Sequence, residues 1–304
     1  MTDLNKQINI DKIVCVGSLN VDVTLFVDEF CKEDEERSIN EITNSSGGAA
    51  ANIAAGIGKL NKNVYFFGNV GTDRHTNMLL KDFKLDNVNY SIAKVSEKPN
   101  NSCYSIVDKT SQRIMYAYNY LNFDETDFPT EFYNEKLKYL VFTSLVSKDI
   151  LKDYCTISKK AKINNTKIIF SPGNIFVKFG LDTIKELISL SDYLILSESE
   201  FKILNIEINK LLNICSKVLI TKGKNGVEFF ELNKDKMKFE ALKINNPIDS
   251  TGAGDCFLAA LVSELFENKT IEKAIQFGIR AAAVSVTTKG ARGMQTLEQI
   301  KNFK

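Results

Sequence analysis

Short apolar runs alternate with helix-like stretches along the second half of this chain. Strand-like segments at 138–143, 167–170 and 192–196 are separated by helical patterns near 149–162 and 179–190. Parallel neighbouring strands need long crossover connections, usually helices, so this alternation predicts a mostly parallel sheet. A chain of 304 residues, 44% of them hydrophobic, is long enough to bury that sheet beneath helices. We therefore expect an α/β fold.

The composition argues against several classes of protein. The formal net charge is +1 at pH 7, so no general attraction to nucleic acid or to an anionic membrane is expected. The sequence lacks a signal-peptide pattern, and no apolar run is long enough to span a bilayer. The cysteines show no CxxC or disulfide-framework spacing and are expected to be small core residues; they are Cys15, Cys31, Cys103, Cys155, Cys215 and Cys256. We expect a reduced, cytoplasmic enzyme.

A tight glycine turn leads into a helix near residue 252. The segment 246–257 (Asn-Pro-Ile-Asp-Ser-Thr-Gly-Ala-Gly-Asp-Cys-Phe) precedes the apolar, helix-patterned residues 258–262. Gly252 and Gly254 permit the turn, and the N–H groups and dipole of a helix start favour an anion there. Asp255 adds a carboxylate to the same turn. It either caps the helix or accepts a proton from a hydroxyl that attacks a phosphoryl group, and the residues alone leave both interpretations open.

A second glycine-rich segment lies nearer the N-terminus. Gly47 and Gly48 open a predicted helix made almost wholly of alanine and glycine, so another backbone or a ligand must come close to it. Tight packing of a helix on a sheet explains the alanines. It does not explain why the glycine pair is followed by Asn52, whose amide can both donate hydrogen bonds to a polyol and accept them.

Asn20 and Asp22 follow a short apolar run, 12–19, that is typical of a strand buried on both faces. Ligands of open α/β sheets bind at the carboxyl ends of the strands. Turn residues that make local hydrogen bonds are the alternative interpretation of this pair.

Two segments resemble the signatures of the ribokinase-like carbohydrate kinases, the PfkB family. Residues 249–255 resemble its C-terminal signature, and residues 44–60 resemble its N-terminal signature. The resemblance spans residues 12–293. It implies a three-layer αβα fold with a mostly parallel central sheet and a small β-sheet lid, and transfer of the γ-phosphoryl group of ATP to a hydroxymethyl oxygen of a nucleoside or a sugar.

The residues themselves favour such a lid. Segments 103–108 and 113–118 have an alternating pattern and predict antiparallel strands. The resemblance implies that residues 23–45 and 90–121 form the lid, inserted in a single kinase domain over 1–304. A lid excludes water that would otherwise accept the phosphoryl group.

The resemblance implies a role for each signature residue. Asp255 would be the catalytic base, and Gly252, Ala253 and Gly254 would form the anion hole for the transferred phosphate. The residues implied in binding the acceptor are Asn20, Asp22, Gly47, Gly48, Asn52 and Asn122.

Nucleotide contacts are expected near another glycine turn. A strand-like run ends at Thr221 and is followed by Gly223 and Gly226. A generic hairpin turn is one interpretation. The resemblance implies instead that these three residues bind ATP together with Gly252 and Gly254. No GxxxxGK[ST] sequence occurs, which argues against a P-loop kinase.

The resemblance also implies cations. Magnesium would accompany ATP, and the family's Asn-x-x-Glu motif, which organises the magnesium and phosphate environment through water, is matched by Glu200 but has Ser197 in place of its Asn. Serine can hydrogen-bond a metal-bound water, with a shorter reach. K⁺ is a further expectation, bound by backbone oxygens at Asp249 and Gly290.

The identity of the acceptor stays open. Compared with ribokinase, Ala49 replaces the lysine after the glycine pair, and residues 143–145 lack the glutamate expected to bind ribose. Tyr104, Tyr116 and Tyr118 either stack on a nucleobase or pack within the lid. The pattern most resembles archaeal-type nucleoside and sugar kinases, so a nucleoside is favoured. A ribokinase or another sugar or sugar-phosphate kinase of the same family is the alternative.

A different class of protein also fits the pattern. Ser197 suggests a non-catalytic nucleoside- or sugar-binding protein on the same fold, whereas the retention of Asp255 and of the anion-hole glycines argues against it. The resemblance further implies that a homodimer would form through the lid.

Overall fold

A computed structural model describes residues 10–110, 112–119 and 121–303. The strands are β1 (Lys12–Val16), β2 (Asn20–Phe26), β3 (Glu41–Gly47), β4 (Val64–Phe67), β5 (Asn69–Val70), β6 (Lys94–Val95), β7 (Asn101–Val107), β8 (Arg113–Tyr118), β9 (Leu137–Thr143), β10 (Lys167–Ser171), β11 (Tyr193–Ser197), β12 (Lys217–Thr221), β13 (Val227–Glu231) and β14 (Met237–Phe239). The α-helices are α1 (Ala49–Lys59), α2 (Thr76–Leu85), α3 (Ile150–Lys162), α4 (Gly173–Val177), α5 (Leu181–Leu190), α6 (Glu198–Leu204), α7 (Ile208–Leu212), α8 (Ala253–Phe266), α9 (Ile271–Ser285) and α10 (Leu297–Asn302). Short 3₁₀ helices lie at Glu125–Asp127, Thr130–Phe132 and Gly223–Asn225.

The central sheet has eight strands in the order β14-β13-β12-β11-β10-β9-β1-β4. The strands from β12 to β4 run parallel, and β13 and β14 are antiparallel at one edge. Helices α3 and α5 lie in the crossovers from β9 to β10 and from β10 to β11, where the alternating pattern placed them. The prediction of a mostly parallel sheet is confirmed.

The central sheet is buried on both faces because its strands present apolar side chains to both. In β1, Ile13 and Cys15 pack in one hydrophobic cluster with residues of α1, α8 and α9, whereas Val14 and Val16 pack in another with residues of α3 and α5. Successive side chains of a strand point to opposite faces, so the two clusters lie on opposite sides of the sheet. The predicted three-layer αβα architecture is confirmed.

Helix α1 packs unusually close to its neighbours. A Cβ atom on Gly56 would lie 2.6 Å from the Cβ of Ala259 in α8, which is too close for two non-bonded carbons. A Cβ on Gly58 would overlap the carbonyl oxygen of Asp86. These approaches explain why small residues are needed in α1, and they hold its C-terminal half against α8 and the loop after α2.

A separate four-stranded sheet, the lid sheet, has the order β3-β2-β7-β8. It begins earlier than expected, because β1 ends at Val16 and the chain turns through Gly17 so that Asn20 already lies in β2. Asn20 and Asp22 are therefore lid residues and not turn residues at the end of a longer β1. The ranges predicted for the lid and the domain include residues 1–9, 111, 120 and 304, which lie outside the described residues.

The structure bears on two expectations drawn from composition. Cys15, Cys155, Cys215 and Cys256 are buried, as expected of core residues, but Cys31 is exposed and that expectation was wrong for it. No helix among the described residues combines the length and the apolar composition needed to cross a bilayer.

Replacing Gly56 by leucine is expected to destabilise the protein, because no space is left for a side chain between α1 and α8. Overpacking of this kind costs about 1–3 kcal/mol, so the Tm measured by calorimetry should fall. Lys152→Leu, on the exposed face of α3, is the matched control and should leave the Tm nearly unchanged. A wild-type Tm in Gly56→Leu would contradict the close packing.

Candidate active site

Helix α8 begins at a turn that leaves backbone donors free. Gly252 is the N-cap residue, with a φ of 74°, a left-handed conformation that favours glycine. Within the described residues, the N–H groups of Gly252, Gly254 and Asp255 have no acceptor. The N–H of Ala253 donates to the carbonyl oxygen of Ser250 at 3.2 Å and is the least available of the predicted anion-hole donors. Free donors at the positive end of a helix dipole form a site for an anion.

The turn is closed on one side and open on the other. A Cβ on Gly252 would overlap the carbonyl oxygen of Ala291, so only glycine fits there. A Cβ on Gly254 would meet no atom within 4 Å, and Gly254 is exposed. A ligand therefore has access to the free donors from the side of Gly254.

Asp255 lies in the first turn of α8 and accepts a hydrogen bond from Asn52 of α1. The distance from Nδ2 of Asn52 to Oδ2 of Asp255 is 2.9 Å. No side chain caps α8, so Asp255 is not the helix cap. Burial raises the pKa of Asp255 to about 7; the hydrogen bond from Asn52 opposes the rise, and the charges of Asp22 and Glu200 add to it. A carboxyl with this pKa is suited to accept a proton at neutral pH.

Asp22 of β2 approaches the same place from the lid sheet. A Cβ on Gly47 would overlap the carboxylate of Asp22, so the glycine makes room for that side chain. Burial raises the pKa of Asp22 to about 6, and the positive charge of Arg292 opposes the rise. The negative charge of Asp22 also raises the pKa of Asp255, so ionisation of Asp22 makes Asp255 harder to ionise.

Asn20 and Gly48 lie beside the contact between Asp22 and Gly47. Asn20 pairs with Gly47 across β2 and β3, and its Oδ1 is buried with no hydrogen-bond partner in the described part of the chain. A Cβ on Gly48 would overlap the carbonyl oxygen of Ser18, so the glycine lets α1 start directly against the turn after β1. A buried acceptor without a partner is what a ligand hydroxyl would satisfy.

Asn122 is less well placed than its neighbour Asn119. Asn122 is exposed in the loop after β8, and its role in binding stays a prediction. The Nδ2 of Asn119 is buried and has no partner among the described residues. An unsatisfied amide donor at the return from the lid fits ligand binding better.

The residues predicted to bind ATP lie around the end of β12. Thr221 is the neighbour of Ser197 in the sheet, and its hydroxyl donates to the carbonyl oxygen of Leu196 at 3.4 Å. Gly223 has a φ of 54° and open space where a Cβ would be. A Cβ on Gly226 would overlap the carbonyl oxygen of Phe239, so this glycine shapes the turn rather than leaving room for a ligand.

Glu200 is engaged in capping its own helix. Ser197 is the N-cap of α6: its Oγ accepts from the N–H of Glu200, and Oε2 of Glu200 accepts from the N–H of Ser197 at 2.8 Å. Oε1 of Glu200 has no hydrogen-bond partner among the described residues. No cluster of three or more His, Cys, Asp or Glu side chains in the described ranges could hold a metal ion. The free Oε1 fits contact with a metal-bound water.

Asp249 ties the signature turn to the loop that follows α9. Its Oδ1 accepts from the N–H of Thr251 at 2.8 Å, and its Oδ2 accepts from the N–H of Gly290 at 2.9 Å. Burial alone would raise the pKa of Asp249, but the hydrogen bonds from Thr251 and Gly290 outweigh it and lower the pKa. Asp249 and Gly290 thus lie in contact through a carboxylate and a backbone N–H, while their role in binding a cation through backbone oxygens stays a prediction.

The lid sheet reaches the signature turn through Arg113. Its Nη1 donates to Oγ1 of Thr251 at 2.6 Å. Arg113, Met115 and Asp22 share one face of the sheet, because cross-strand partners and alternate residues of a strand lie on the same face. This face, the inner face, covers the space between Asp22 and α8.

The lid tyrosines lie on the opposite, outer face. Tyr104 pairs with Val23, the residue after Asp22, and Tyr116 pairs with Tyr104. Tyr118 is two residues further along β8 and shares their face. All three are exposed, at 41%, 64% and 54%. They face away from Asp22, which removes them as candidates for stacking on a base bound beside it.

Arg292 is a site residue that the sequence analysis did not identify. Its Nε donates to Oδ1 of Asn52 at 3.4 Å, and its Nη1 lies 3.4 Å from Oδ2 of Asp86. These partners are far away in sequence, so no local pattern indicates the contact. The alternating pattern of β8 predicts which of its side chains share a face with Arg113. It does not predict that this face contacts Thr251.

The comparisons with known proteins agree with this geometry. The family model described as pfkB family carbohydrate kinase matches residues 10–297. The chain is 29% identical over 316 residues to a ribokinase of Staphylococcus aureus, covering 95% of this chain and 98% of the relative. It is 27% identical over 298 residues to a nucleoside kinase of Methanocaldococcus jannaschii, covering 93% and 92%.

Solved structures agree as well. A ribokinase from Thermotoga maritima superposes with a TM-score of 0.84 at 25% identity, covering 97% of this chain and 99% of the other. An Arabidopsis thaliana ribokinase complexed with ribose and ATP has the same fold, with a TM-score of 0.82 at 21% identity and coverage of 97% and 99%. The chain therefore belongs to the pfkB family of carbohydrate kinases and is a phosphotransferase with an alcohol group as acceptor.

Proposed function

We propose that this chain transfers the γ-phosphoryl group of ATP to a hydroxymethyl oxygen of a nucleoside or a sugar, acting as one kinase domain with the lid sheet inserted in it. The observation that carries the proposal is the Asn52–Asp255 hydrogen bond at the open, anion-attracting start of α8. A base and a phosphate site within one helical turn are what an in-line attack on a phosphoryl group requires.

Residues at the start of α8 contact the reacting atoms. Asp255 takes the proton from the attacking hydroxymethyl group, so that the oxygen becomes a stronger nucleophile. The N–H groups of Gly252 and Gly254 donate to the oxygens of the transferred phosphoryl group and stabilise charge that develops there. Asn20 and Asp22 orient the acceptor through its other hydroxyls.

The nucleotide is placed along the neighbouring strand ends. Thr221 and Gly223 lie at the carboxyl edge of the sheet, where they contact ATP, and Gly226 shapes the turn. Magnesium, when bound, would neutralise negative charge on the nucleotide phosphates. Glu200 would hold it through water by its free Oε1, and backbone oxygens at Asp249 and Gly290 would hold K⁺.

A nucleoside remains the favoured acceptor, although the lid tyrosines do not lie where they could stack on its base. Met115 and Phe26 lie on the inner face of the lid sheet and are 56% and 36% exposed. Apolar side chains above a polar pocket suit a ligand with a sugar below and a flat base above. A free pentose is the second candidate, supported by the identity to the Staphylococcus aureus ribokinase. A coupled assay of ADP release with nucleosides, pentoses, hexoses and hexose phosphates distinguishes them.

The outer face of the lid sheet is proposed to form a homodimer. It presents Ile42, Tyr104, Ile114, Tyr116 and Tyr118, each more than a third exposed. A contiguous apolar sheet face of this kind marks an interaction surface. A second copy of the same face supplies a complementary apolar partner without any need for opposite charges.

Replacing Asp255 by asparagine is expected to lower kcat on the order of 10²–10⁴-fold, because the amide cannot accept the proton. ATP binding, measured by calorimetry, should persist. Asp235→Asn, at an exposed position, is the control and should keep wild-type turnover. Full activity in Asp255→Asn would show that another group is the base.

The rate of transfer is expected to depend on pH with a midpoint near the pKa of Asp255, about 7. Because burial raises this pKa, the carboxyl is protonated and inactive below the midpoint, and kcat should rise with pH and level off above it. A pH–rate profile in a constant-ionic-strength buffer measures this. A flat profile from pH 5 to 8 would rule out a base with a raised pKa.

Tyr116→Lys is expected to convert a dimer to a monomer, because it places a charge among the exposed apolar side chains of the outer face. Light scattering after gel filtration gives the mass. Leu85→Lys, 68% exposed at the end of α2, is the control and should remain dimeric. A monomeric wild type, or a dimeric Tyr116→Lys, would overturn the proposed interface.

A further inference from the structure

Arg292 is a buried cation placed among acidic groups beside the pair Asn52–Asp255. Its side chain is 12% exposed. Its guanidinium lies over the ring of Phe83 at 5.3 Å and contacts Asp86, and its Nη2 is buried with no partner among the described residues. Burying a cation is costly unless nearby charges compensate for it. Packing alone therefore does not explain why an arginine is buried at position 292.

The contacts of Asn52 supply that reason. Its Nδ2 donates to Oδ2 of Asp255 at 2.9 Å, and its Oδ1 faces Nε of Arg292 at 3.4 Å. Turning the amide over would place its oxygen against the carboxylate and its NH₂ against the guanidinium, two repulsive contacts. The guanidinium on one side and the carboxylate on the other thus allow a single orientation of the amide.

We propose that Arg292 is a positioning residue of the kinase: it fixes the amide of Asn52 toward the Asp255 carboxylate and balances the negative charge shared by Asp22 and Asp255. Arg292 touches neither reacting atom and acts through these side chains. The kinetic part of this inference rests on the proposed function.

The charged groups around Asp22 and Asp255 determine how the loss of Arg292 changes the pKa values of these two carboxyl groups. Asp255 faces Asp22 from β2, Glu200 from α6 and the neutral thiol of Cys256 on its own helix. Asp22 faces Arg292 and the neutral thiol of Cys103 of β7. Arg292 is the cation acting on Asp22. Its removal makes Asp22 harder to ionise, and because the charge of Asp22 acts on Asp255, we expect the higher apparent pKa of these two carboxyl groups to rise.

Lys59 offers a matched control. Its Nζ lies 3.4 Å from Oδ1 of Asp86 and donates to the carbonyl oxygens of Arg292 and Met294 at 3.4 and 3.3 Å. It therefore supports the same loop and the same acidic side chain as Arg292. No hydrogen bond joins it to Asn52 among the described residues. If Arg292 only stabilised the loop, then removing Lys59 should have the same effect on activity as removing Arg292.

The test compares Arg292→Met, Arg292→Lys and Lys59→Met with the wild type in a pH–rate profile. In Arg292→Met, kcat should fall on the order of 10- to 100-fold with little change in the KM for ATP. The rising limb of its profile should move up by about one pH unit. Lys59→Met should have the kcat of the wild type and a rising limb at the wild-type pH. Equal losses in the two methionine variants, with an unmoved limb, would mean that Arg292 only stabilises the loop.

Arg292→Lys separates charge from geometry. It retains the cation, so its profile should stay close to that of the wild type, but it lacks the guanidinium Nε–H and should still lose turnover. A wild-type kcat in Arg292→Lys would contradict the positioning of Asn52. This variant also carries the test if Arg292→Met fails to fold.

A titration followed by NMR distinguishes failure of this inference from failure of the proposed function. In protein labelled with ¹³Cγ-aspartate, the signals of Asp22 and Asp255 are assigned with Asp22→Asn and Asp255→Asn. The higher apparent pKa should rise in Arg292→Met and remain in place in Lys59→Met. An unchanged titration in Arg292→Met overturns the inference whether or not the wild type phosphorylates any acceptor, whereas an inactive wild type with the expected titration contradicts the kinase proposal alone.

Discussion

The carboxylate of Asp255 lies inside a turn whose free N–H groups attract anions, and the surrounding structure is arranged around that charge. Burial favours the protonated form of Asp255. The amide of Asn52 stabilises the ionised form, while Asp22 and Glu200 disfavour it. The balance leaves the pKa of Asp255 near neutrality, where the group can change its protonation state during each turnover.

The fold holds these groups by close backbone contacts. Helices α1 and α8 approach each other at Gly56 and Ala259, so Asn52 and Asp255 are carried on two elements that cannot easily separate. Glycine at positions 47 and 252 admits the carboxylate of Asp22 and the carbonyl oxygen of Ala291. The lid sheet then joins the site from above through Asp22 and Arg113. Rigid helices position the chemistry, and the strands cover it.

Much of this arrangement could be predicted from the sequence, because it is encoded locally. The alternation of strands and helices gave the parallel sheet, and the two glycine-rich segments marked where α1 and α8 begin. The start of the lid was misplaced because the apolar run 12–19 continues past the true end of β1 at Val16, and the turn at Gly17 was not recognised. The faces of the lid tyrosines follow from register, which a single strand does not reveal. Arg292 is invisible to sequence patterns because its contact with Asn52 joins residues 240 positions apart.

A crystal structure with a non-hydrolysable ATP analogue, magnesium and the best acceptor from the assay would show whether Asp255 and the start of α8 hold the reacting groups. The acceptor's hydroxymethyl oxygen should lie within about 3 Å of a carboxylate oxygen of Asp255. The terminal phosphate should accept from the N–H groups of Gly252 and Gly254, in line with that oxygen. An acceptor hydroxyl that points away from Asp255, or a terminal phosphate bound elsewhere than the start of α8, would contradict it.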